Sequence, residues 1–122
     1  MTTTMPPNPA PKRGDVVLVL FPHSDLRTAK PRPALIVQAD DLGTDLSQVI
    51  VAMITSKTFR ANHASRVLVK LESKEGKGSG LLADSVVMTD NLATIITIAV
   101  DRLIGKLPMG AIDKALKNTL GL

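Results

Sequence analysis

The sequence has no cysteine, tryptophan or tyrosine, and Phe21 and Phe59 are its only aromatic side chains of the Phe, Trp or Tyr type. The lack of cysteine excludes disulfide bonds and thiolate chemistry. The core must therefore be aliphatic, and so few rings count against a platform on which several nucleic-acid bases stack. No apolar run reaches the ~18 residues that a membrane-spanning helix needs. We expect a soluble, cytoplasmic protein that does not act at a membrane.

The length of 122 residues is sufficient for one hydrophobic core. Fifteen Lys and Arg residues against eleven Asp and Glu residues give a net charge of +4 and a sequence pI of about 9.7. This balance is compatible with a nucleic-acid partner without being diagnostic of one. The first residues are rich in Thr and Pro and contain no secretory segment. We expect a disordered leader over residues 1–12 and a single domain over residues 13–122.

Short apolar runs dominate the chain before its last dozen residues and predict β-strands. The first three runs are rich in branched residues and nearly continuous in hydrophobicity, which is typical of strands covered on both faces. Arg66–Leu71 instead alternates polar and apolar residues, as a half-exposed strand does. The predicted strands are Val16–Phe21, Ala34–Gln38, Val49–Ile54, Arg66–Leu71, Ser85–Met88, Thr94–Val100 and Leu103–Leu107.

Two other segments have different patterns. Glu72–Gly80 contains three glycines among charged and serine residues, which predicts a turn or loop. From Ala111 onward apolar residues recur at helical spacing, and Gly121 stands where a C-terminal cap belongs. The sequence therefore predicts a mainly β fold, a β-barrel-like sheet closed by a C-terminal helix.

An arginine and a pair of hydroxyls stand at the ends of predicted strands. Pro31 and Pro33 flank Arg32 and hold its backbone in the extended region at the start of the second strand. Thr55-Ser56 ends the third apolar run. A planar guanidinium beside hydroxyl donors suits phosphate oxygens. Each element alone has an ordinary explanation, an anchored loop or a capped turn, so the functional hypothesis depends on their combination.

These elements belong to a series of short segments that follow one another in a recognisable order along the chain. The segments are Arg13-Gly14-Asp15-Val16, Arg32-Pro33-Ala34-Leu35-Ile36-Val37, Val51-Ala52-Met53-Ile54-Thr55-Ser56, Gly80-Leu81, Ser85-Val86-Val87, Asp90 and Ile104-Gly105-Lys106-Leu107. In this order and spacing the sequence resembles the MazF/PemK (Kid) family of toxin endoribonucleases from type II toxin–antitoxin systems. The resemblance spans roughly Arg13 to Leu122.

The resemblance implies a fold, an activity and a set of partners. The fold would be an SH3-like β-barrel of the MazF/CcdB type with short helices, assembled as a homodimer. The activity would be sequence-specific cleavage of single-stranded RNA without metal or other cofactor, which inhibits translation and growth. A cognate antitoxin would hold the toxin inactive, and operator DNA would be bound only together with that antitoxin.

The same resemblance implies the catalytic residues. The essential arginine of the family falls on Arg32 and its essential hydroxyl on Thr55, with Ser56 beside it. The implied reaction is attack by the ribose 2′-OH on the adjacent phosphorus, and Arg32 and Thr55 would stabilise the five-coordinate intermediate. His23 and Asp90 are rival candidates for the general base, and Asp25 is a third.

Basic residues near these positions are candidates for binding RNA phosphates. Arg27 and Lys30 belong to the polar loop Pro22–Lys30, and Lys57 and Arg60 follow Thr55-Ser56. An equally ordinary interpretation is a solvated basic surface. Phosphate contacts would set affinity and its salt dependence, whereas contacts to base edges would set the cleavage sequence.

Departures from the family pattern keep other functions open. Met88 stands where some members carry an arginine, and Ala93-Thr94-Ile95-Ile96 replaces a pattern with one positive and one negative charge. One alternative is a non-catalytic toxin of the same fold that binds a protein target, as the CcdB-type gyrase poisons do. The other is a degenerate barrel that only binds its antitoxin, or operator DNA together with it.

Overall fold

The computed structural model describes residues 10–20 and 30–122. Three residues considered above for catalysis or RNA binding, His23, Asp25 and Arg27, lie outside these ranges. Residues 1–9 of the expected leader also lie outside them.

The described residues form a six-stranded antiparallel sheet with two α-helices. The strand order is β4-β5-β3-β2-β1-β6. The predicted mainly β fold with a C-terminal helix is confirmed. The elements are β1 (Asp15–Leu20), β2 (Pro31–Ile36), β3 (Gln48–Thr55), β4 (Arg66–Val69), α1 (Lys74–Ser79), β5 (Ser85–Ile96), β6 (Val100–Lys106) and α2 (Gly110–Leu120).

The central strands are covered on both faces, as their continuous apolar sequences indicate. Successive side chains of a strand point to opposite faces, so β1 contributes to two aliphatic clusters. One cluster packs Val16 and Leu35 against Ile112 of α2. The other packs Val17 and Val19 against Ile36 on the opposite face. Among the described residues, no Phe, Trp or Tyr belongs to either cluster.

The predicted strands Ser85–Met88 and Thr94–Val100 are wrong in two respects. They are joined in β5, a single strand of 12 residues, and the end of the second is instead the 3-10 turn Thr97–Ala99 followed by the first residue of β6. The polar residues in the middle of β5 interrupt the apolar pattern without ending the strand. Thr89 is fully buried there, and its hydroxyl donates to the Ser65 carbonyl oxygen at 2.6 Å. The pairing of β5 with β3 shifts register between Ala52 and Met53, which accommodates the irregularity.

The prediction of a loop over Glu72–Gly80 is wrong, because α1 forms there. Ser73 caps the helix by accepting a hydrogen bond from the Gly76 N–H at 3.0 Å. A Cβ on Gly76 would lie 1.9 Å from the Lys70 carbonyl oxygen, and one on Gly105 would lie 2.3 Å from the Ser79 carbonyl oxygen. The glycines therefore allow close contact of α1 with β6 and the end of β4.

The predicted C-terminal helix is confirmed as α2, and Gly121 follows it in the left-handed conformation at φ 71°. Polar contacts join α2 to the sheet. Asn118 Nδ2 donates to Ser65 Oγ at 2.8 Å, and the Thr89 and Thr119 hydroxyls lie 2.9 Å apart. Arg13 forms an ion pair with Asp113. Neither α1 nor α2 is long and apolar enough to cross a bilayer.

Candidate functional site

The pairing of β2 with β3 brings the start of one strand to the end of the other. Ala34 is opposite Met53 in this antiparallel pair. Arg32 comes two residues before Ala34, and Thr55 comes two residues after Met53. Both residues line one groove of about 720 Å³, and Ser56 lines it too. The structure thus brings together the arginine and the hydroxyls that stand far apart in the sequence.

The charged side chains that line the groove, among the described residues, have one sign. Four cationic side chains line it: Arg32, Lys57, Arg60 and Arg102. None of the described residues that line the groove is acidic. Its walls between these charges are largely apolar and include Leu18, Met53 and Ile104. Cations grouped over low-dielectric walls attract an anionic ligand more strongly than the same charges spread over a surface.

A local hydrogen bond orients the hydroxyl of Thr55. Its Oγ1 accepts from the Lys57 N–H at 3.2 Å, which closes a short turn at the end of β3. A hydroxyl can accept one hydrogen bond and still donate another. Thr55 is half-buried and Ser56 is exposed. The Thr55 hydroxyl is therefore held at the groove with its proton available to a ligand oxygen.

Arg60 reaches the groove from a 3-10 turn formed by Thr58–Arg60. Its Nη1 lies 3.8 Å from Met88 Sδ on the groove wall. Arg66 on β4 donates from Nη1 to the Arg60 carbonyl oxygen at 3.3 Å and so fixes the end of the turn. Lys57, just before the turn, is exposed. The cations that follow Thr55-Ser56 in the sequence thus lie on the same groove as the hydroxyls.

Asp90 is not among the residues that line the groove. Arg66 donates to both of its carboxylate oxygens, at 2.8 Å from Nη2 and 3.3 Å from Nε. These hydrogen bonds lower the pKa of Asp90 below its ordinary value, although partial burial opposes the shift. A carboxylate held in this way is a poor proton acceptor at neutral pH. The geometry therefore argues against Asp90 as general base.

Of the remaining candidates for catalysis or RNA binding, one lies at the margin of the groove and three lie outside the described residues. Lys30 is exposed beside Pro31, and Pro31 lines the groove. His23, Asp25 and Arg27 lie outside the described residues. In the described ranges, no three His, Cys, Asp or Glu side chains come close enough together to hold a metal ion.

Arg102 is a groove residue that the sequence reasoning missed. It lies on β6, opposite Leu18 of β1, and its side chain is 67% exposed in a pair with Asp101 at 3.2 Å. Nothing in the local pattern around Asp101-Arg102 indicates a ligand site. Only the pairing of the last strand with the first brings this guanidinium to the groove.

Comparison with known proteins agrees with this architecture. Residues 12–120 match the family described as PemK-like, MazF-like toxin of type II toxin-antitoxin system. The Mycobacterium tuberculosis toxin MazF-mt6 is 28% identical with a TM-score of 0.69, over 88% of this chain and 97% of that one. An endoribonuclease from a mycobacterial species is 25% identical with a TM-score of 0.67, over 93% and 94% of the two chains.

A mycobacterial endoribonuclease in complex with its cognate antitoxin has the same fold. It is 24% identical with a TM-score of 0.69, over 93% of this chain and 97% of that one. No curated protein sequence gives a significant match.

Proposed function

The chain belongs to the PemK-like, MazF-like toxin family of type II toxin–antitoxin systems, and we propose that it is an endoribonuclease that cleaves single-stranded RNA in the groove that Arg32 and Thr55 line. One observation carries the proposal. Arg32 and Thr55 meet at one groove whose described charged residues are all cations. That arrangement suits a phosphodiester anion and provides donors on the phosphate oxygens that gain charge during cleavage.

The substrate is RNA rather than DNA, because the proposed nucleophile is the ribose 2′-OH. A single strand is flexible enough to align this hydroxyl with the bond that breaks, whereas a duplex restrains the backbone. Lys57, Arg60 and Arg102 extend the positive surface on both sides of Arg32 and contact flanking phosphates. Lys30 and Arg27 are proposed to contribute from the β1–β2 segment.

The reaction proceeds without a protein nucleophile. A base takes the proton of the 2′-OH, the O2′–P bond forms, and the P–O5′ bond breaks as O5′ takes up a proton. The products are a 2′,3′-cyclic phosphate and a 5′-OH end. Arg32 and the Thr55 hydroxyl stabilise the charge on the non-bridging oxygens, and one preorganised donor of this kind contributes about 3–4 kcal/mol. Ser56 is a further donor beside them.

Arg32 acts electrostatically and not as a proton donor, because a guanidinium keeps its proton below about pH 12. We propose His23 as the general base. Histidine is the side chain whose ordinary pKa lies in the range that base catalysis near neutral pH requires. Asp90 is less suited, since its carboxylate is held by Arg66 and its pKa is lowered.

The partners follow from the family and from the groove. We propose that a cognate antitoxin covers the groove with an acidic segment, because carboxylates complement its four cations. We propose a cytoplasmic homodimer that binds operator DNA only together with this antitoxin. The RNA-cleaving function is preferred to gyrase-type protein targeting, because the groove presents an arginine and hydroxyls suited to phosphate.

A direct test is cleavage of a long single-stranded RNA by the purified protein in EDTA, with the 5′ ends mapped. We expect discrete cuts with 5′-OH ends. Arg32→Ala and Thr55→Val should each lower kcat by about 100- to 1,000-fold, because each removes a donor to the developing charge. Thr55→Ser should lose less, because it keeps the hydroxyl.

Lys114→Ala is the matched control, since Lys114 is exposed on α2 and is not among the groove residues. Cuts that persist in Arg32→Ala and Thr55→Val would assign the activity to a contaminating nuclease and refute the proposal. Growth arrest on expression with RNA left intact would instead favour the protein-targeting alternative.

A further inference from the structure

The turn beside the groove presents an exposed aromatic ring. Phe59 is 79% exposed, and it is one of only two Phe, Trp or Tyr residues in the sequence. A single exposed apolar side chain is ordinary on a protein surface. The significance of Phe59 comes from what surrounds it, namely a groove cation and a backbone turn held by several hydrogen bonds.

Phe59 lies next to a cation of the groove. The Cζ atom of Arg60 is 5.8 Å from the centroid of the Phe59 ring, within the range of a cation–π contact. Arg60 also lines the groove and lies against Met88 on its wall. The ring is therefore one side chain away from the groove. Its high exposure leaves ring surface open to solvent beside a guanidinium that attracts phosphate.

The turn that carries the ring is well held. The Arg60 and Ala61 N–H groups donate to the Lys57 and Thr58 carbonyls, both at 3.0 Å. Arg66 donates to the Arg60 carbonyl oxygen, and Asp90 in turn holds Arg66. Because the backbone of the turn is already fixed, ligand binding does not have to order it. The turn thus presents the exposed ring at a defined position beside the groove.

We propose that Phe59 stacks on an unpaired base of the RNA strand at the rim of the groove, while Arg60 contacts the adjoining phosphate; this inference rests on the function proposed above. Every base has a π face, so a phenyl ring beside a phosphate-binding cation recognises single-stranded nucleic acid with little dependence on sequence. One ring binds one base. The scarcity of aromatic residues excludes an extended stacking platform but not this contact.

The stacking contact sets affinity more than chemistry. Phe59 follows the hydroxyl pair by only three positions, so the stacked base belongs to a nucleotide close to the cleaved bond. Loss of one such contact weakens single-strand binding by about 5- to 150-fold. The effect should fall mainly on KM, since Phe59 donates no hydrogen bond to the reacting phosphate.

The absence of tryptophan from the sequence allows a direct test. Phe59→Trp introduces a single indole, and a base that stacks on it should quench its fluorescence. The probe is an oligonucleotide with a cleavage sequence mapped with the unaltered protein, 2′-O-methylated so that the nucleophile is blocked. Titration should give saturable quenching. An abasic substitution at the stacked position should remove that quenching.

Ile98→Trp is the matched control. Ile98 is 85% exposed and also lies on a 3-10 turn, Thr97–Ala99, which follows the end of β5. The β5 residues that line the groove are Ser85, Met88 and Asn91, and Ile98 is not among the lining residues. We expect the Ile98→Trp fluorescence to remain unchanged on addition of the oligonucleotide.

Phe59→Leu separates stacking from apolar contact. It should weaken binding of the probe and raise KM by about 5- to 150-fold, and Phe59→Tyr, which keeps a ring, should lose less. If the unaltered protein cleaves RNA and Phe59→Leu matches it in KM and binding, stacking is refuted while the nuclease function stands. If Phe59→Leu keeps the KM and the probe binding of the unaltered protein but binds an antitoxin more weakly, Phe59 is a protein-docking residue and stacking is refuted. If the unaltered protein neither binds nor cleaves RNA, the proposed function fails first and the stacking proposal with it.

Discussion

One guanidinium, that of Arg66, joins Asp90 to the backbone of Arg60. Its Nη2 donates to Asp90 Oδ2 at 2.8 Å, and its Nη1 donates to the Arg60 carbonyl oxygen at 3.3 Å. The pair thereby connects β4 and β5 to the turn that presents Arg60 and Phe59. Asp90 thus holds, through Arg66, the end of the turn that carries the groove cation Arg60.

The first prediction concerns Asp90→Asn. We expect a rise in KM of a few-fold with little change in kcat, because Arg66 and the turn lose one anchor while the reacting groups remain. Asp113→Asn breaks another Arg–Asp ion pair away from the groove and should leave KM unchanged. Steady-state cleavage kinetics on one RNA give both constants. A large fall in kcat for Asp90→Asn would instead restore Asp90 as a proton-transfer group.

The lowered pKa of Asp90 also leads to a prediction about how the free energy of unfolding depends on pH. Its pKa is lowered in the folded state by Arg66, so its contribution to the free energy of unfolding is present above the unfolded pKa of about 3.9. That contribution is lost as the pH falls through the lower folded value. Urea denaturation should show wild type more stable than Asp90→Asn at neutral pH, by a small amount because the pair is partly exposed. A difference that grows on acidification would contradict this assignment.

The next prediction concerns His23 and the pH dependence of kcat/KM. We expect kcat/KM of the unaltered protein to rise between about pH 5 and 7 as the imidazole loses its proton. Asp90, with its lowered pKa, stays ionised over this range and cannot produce the rise. His23→Ala should lower the rate and flatten the profile. The same rise in the variant would remove His23 from the mechanism.

A contact of Arg102 with RNA should be measurable in the salt dependence of RNA affinity. If Arg102 contacts a phosphate, Arg102→Gln should reduce the slope of log K against log salt by about 0.7 for a single strand. Its exposed partner Asp101 holds it weakly, so exchange for a phosphate costs little. Lys114→Gln on α2 is the control of equal charge change. Fluorescence anisotropy with a labelled 2′-O-methylated strand measures both slopes, and equal slopes would exclude the contact.

Substitution by alanine should have opposite effects on stability at two glycines, one in the close contact of α1 with β6 and one at the start of α2. Gly105→Ala places a methyl group 2.3 Å from the Ser79 backbone and should destabilise the protein by about 1–3 kcal/mol. Gly110→Ala meets no atom within 4 Å and lies in α2, so it should be neutral or stabilising by up to about 1 kcal/mol. Urea denaturation of both variants tests this contrast, which equal stabilities would contradict.

Elements with a strong local pattern were predictable. The first three strands follow from continuous runs of branched apolar residues, and α2 from its helical spacing and its glycine cap. The continuity of β5 was not predictable, because the partner that satisfies the buried Thr89 hydroxyl is the Ser65 carbonyl, 24 residues earlier. Helix α1 was missed for a similar reason. Its glycines suggest a turn until the strand that packs against them is in place.

The candidate site also has features that the sequence predicts and features that only the structure shows. Sequence by itself determined that Arg32 and Thr55 stand at strand ends, since prolines and apolar runs act on the residues next to them. Only tertiary structure decided that Arg102 joins them, that Asp90 is held by Arg66, and that the Phe59 ring lies against Arg60. The physical reason is that a strand's alternation is encoded locally, whereas its partner across the sheet comes from a distant segment and is selected by packing of the whole chain.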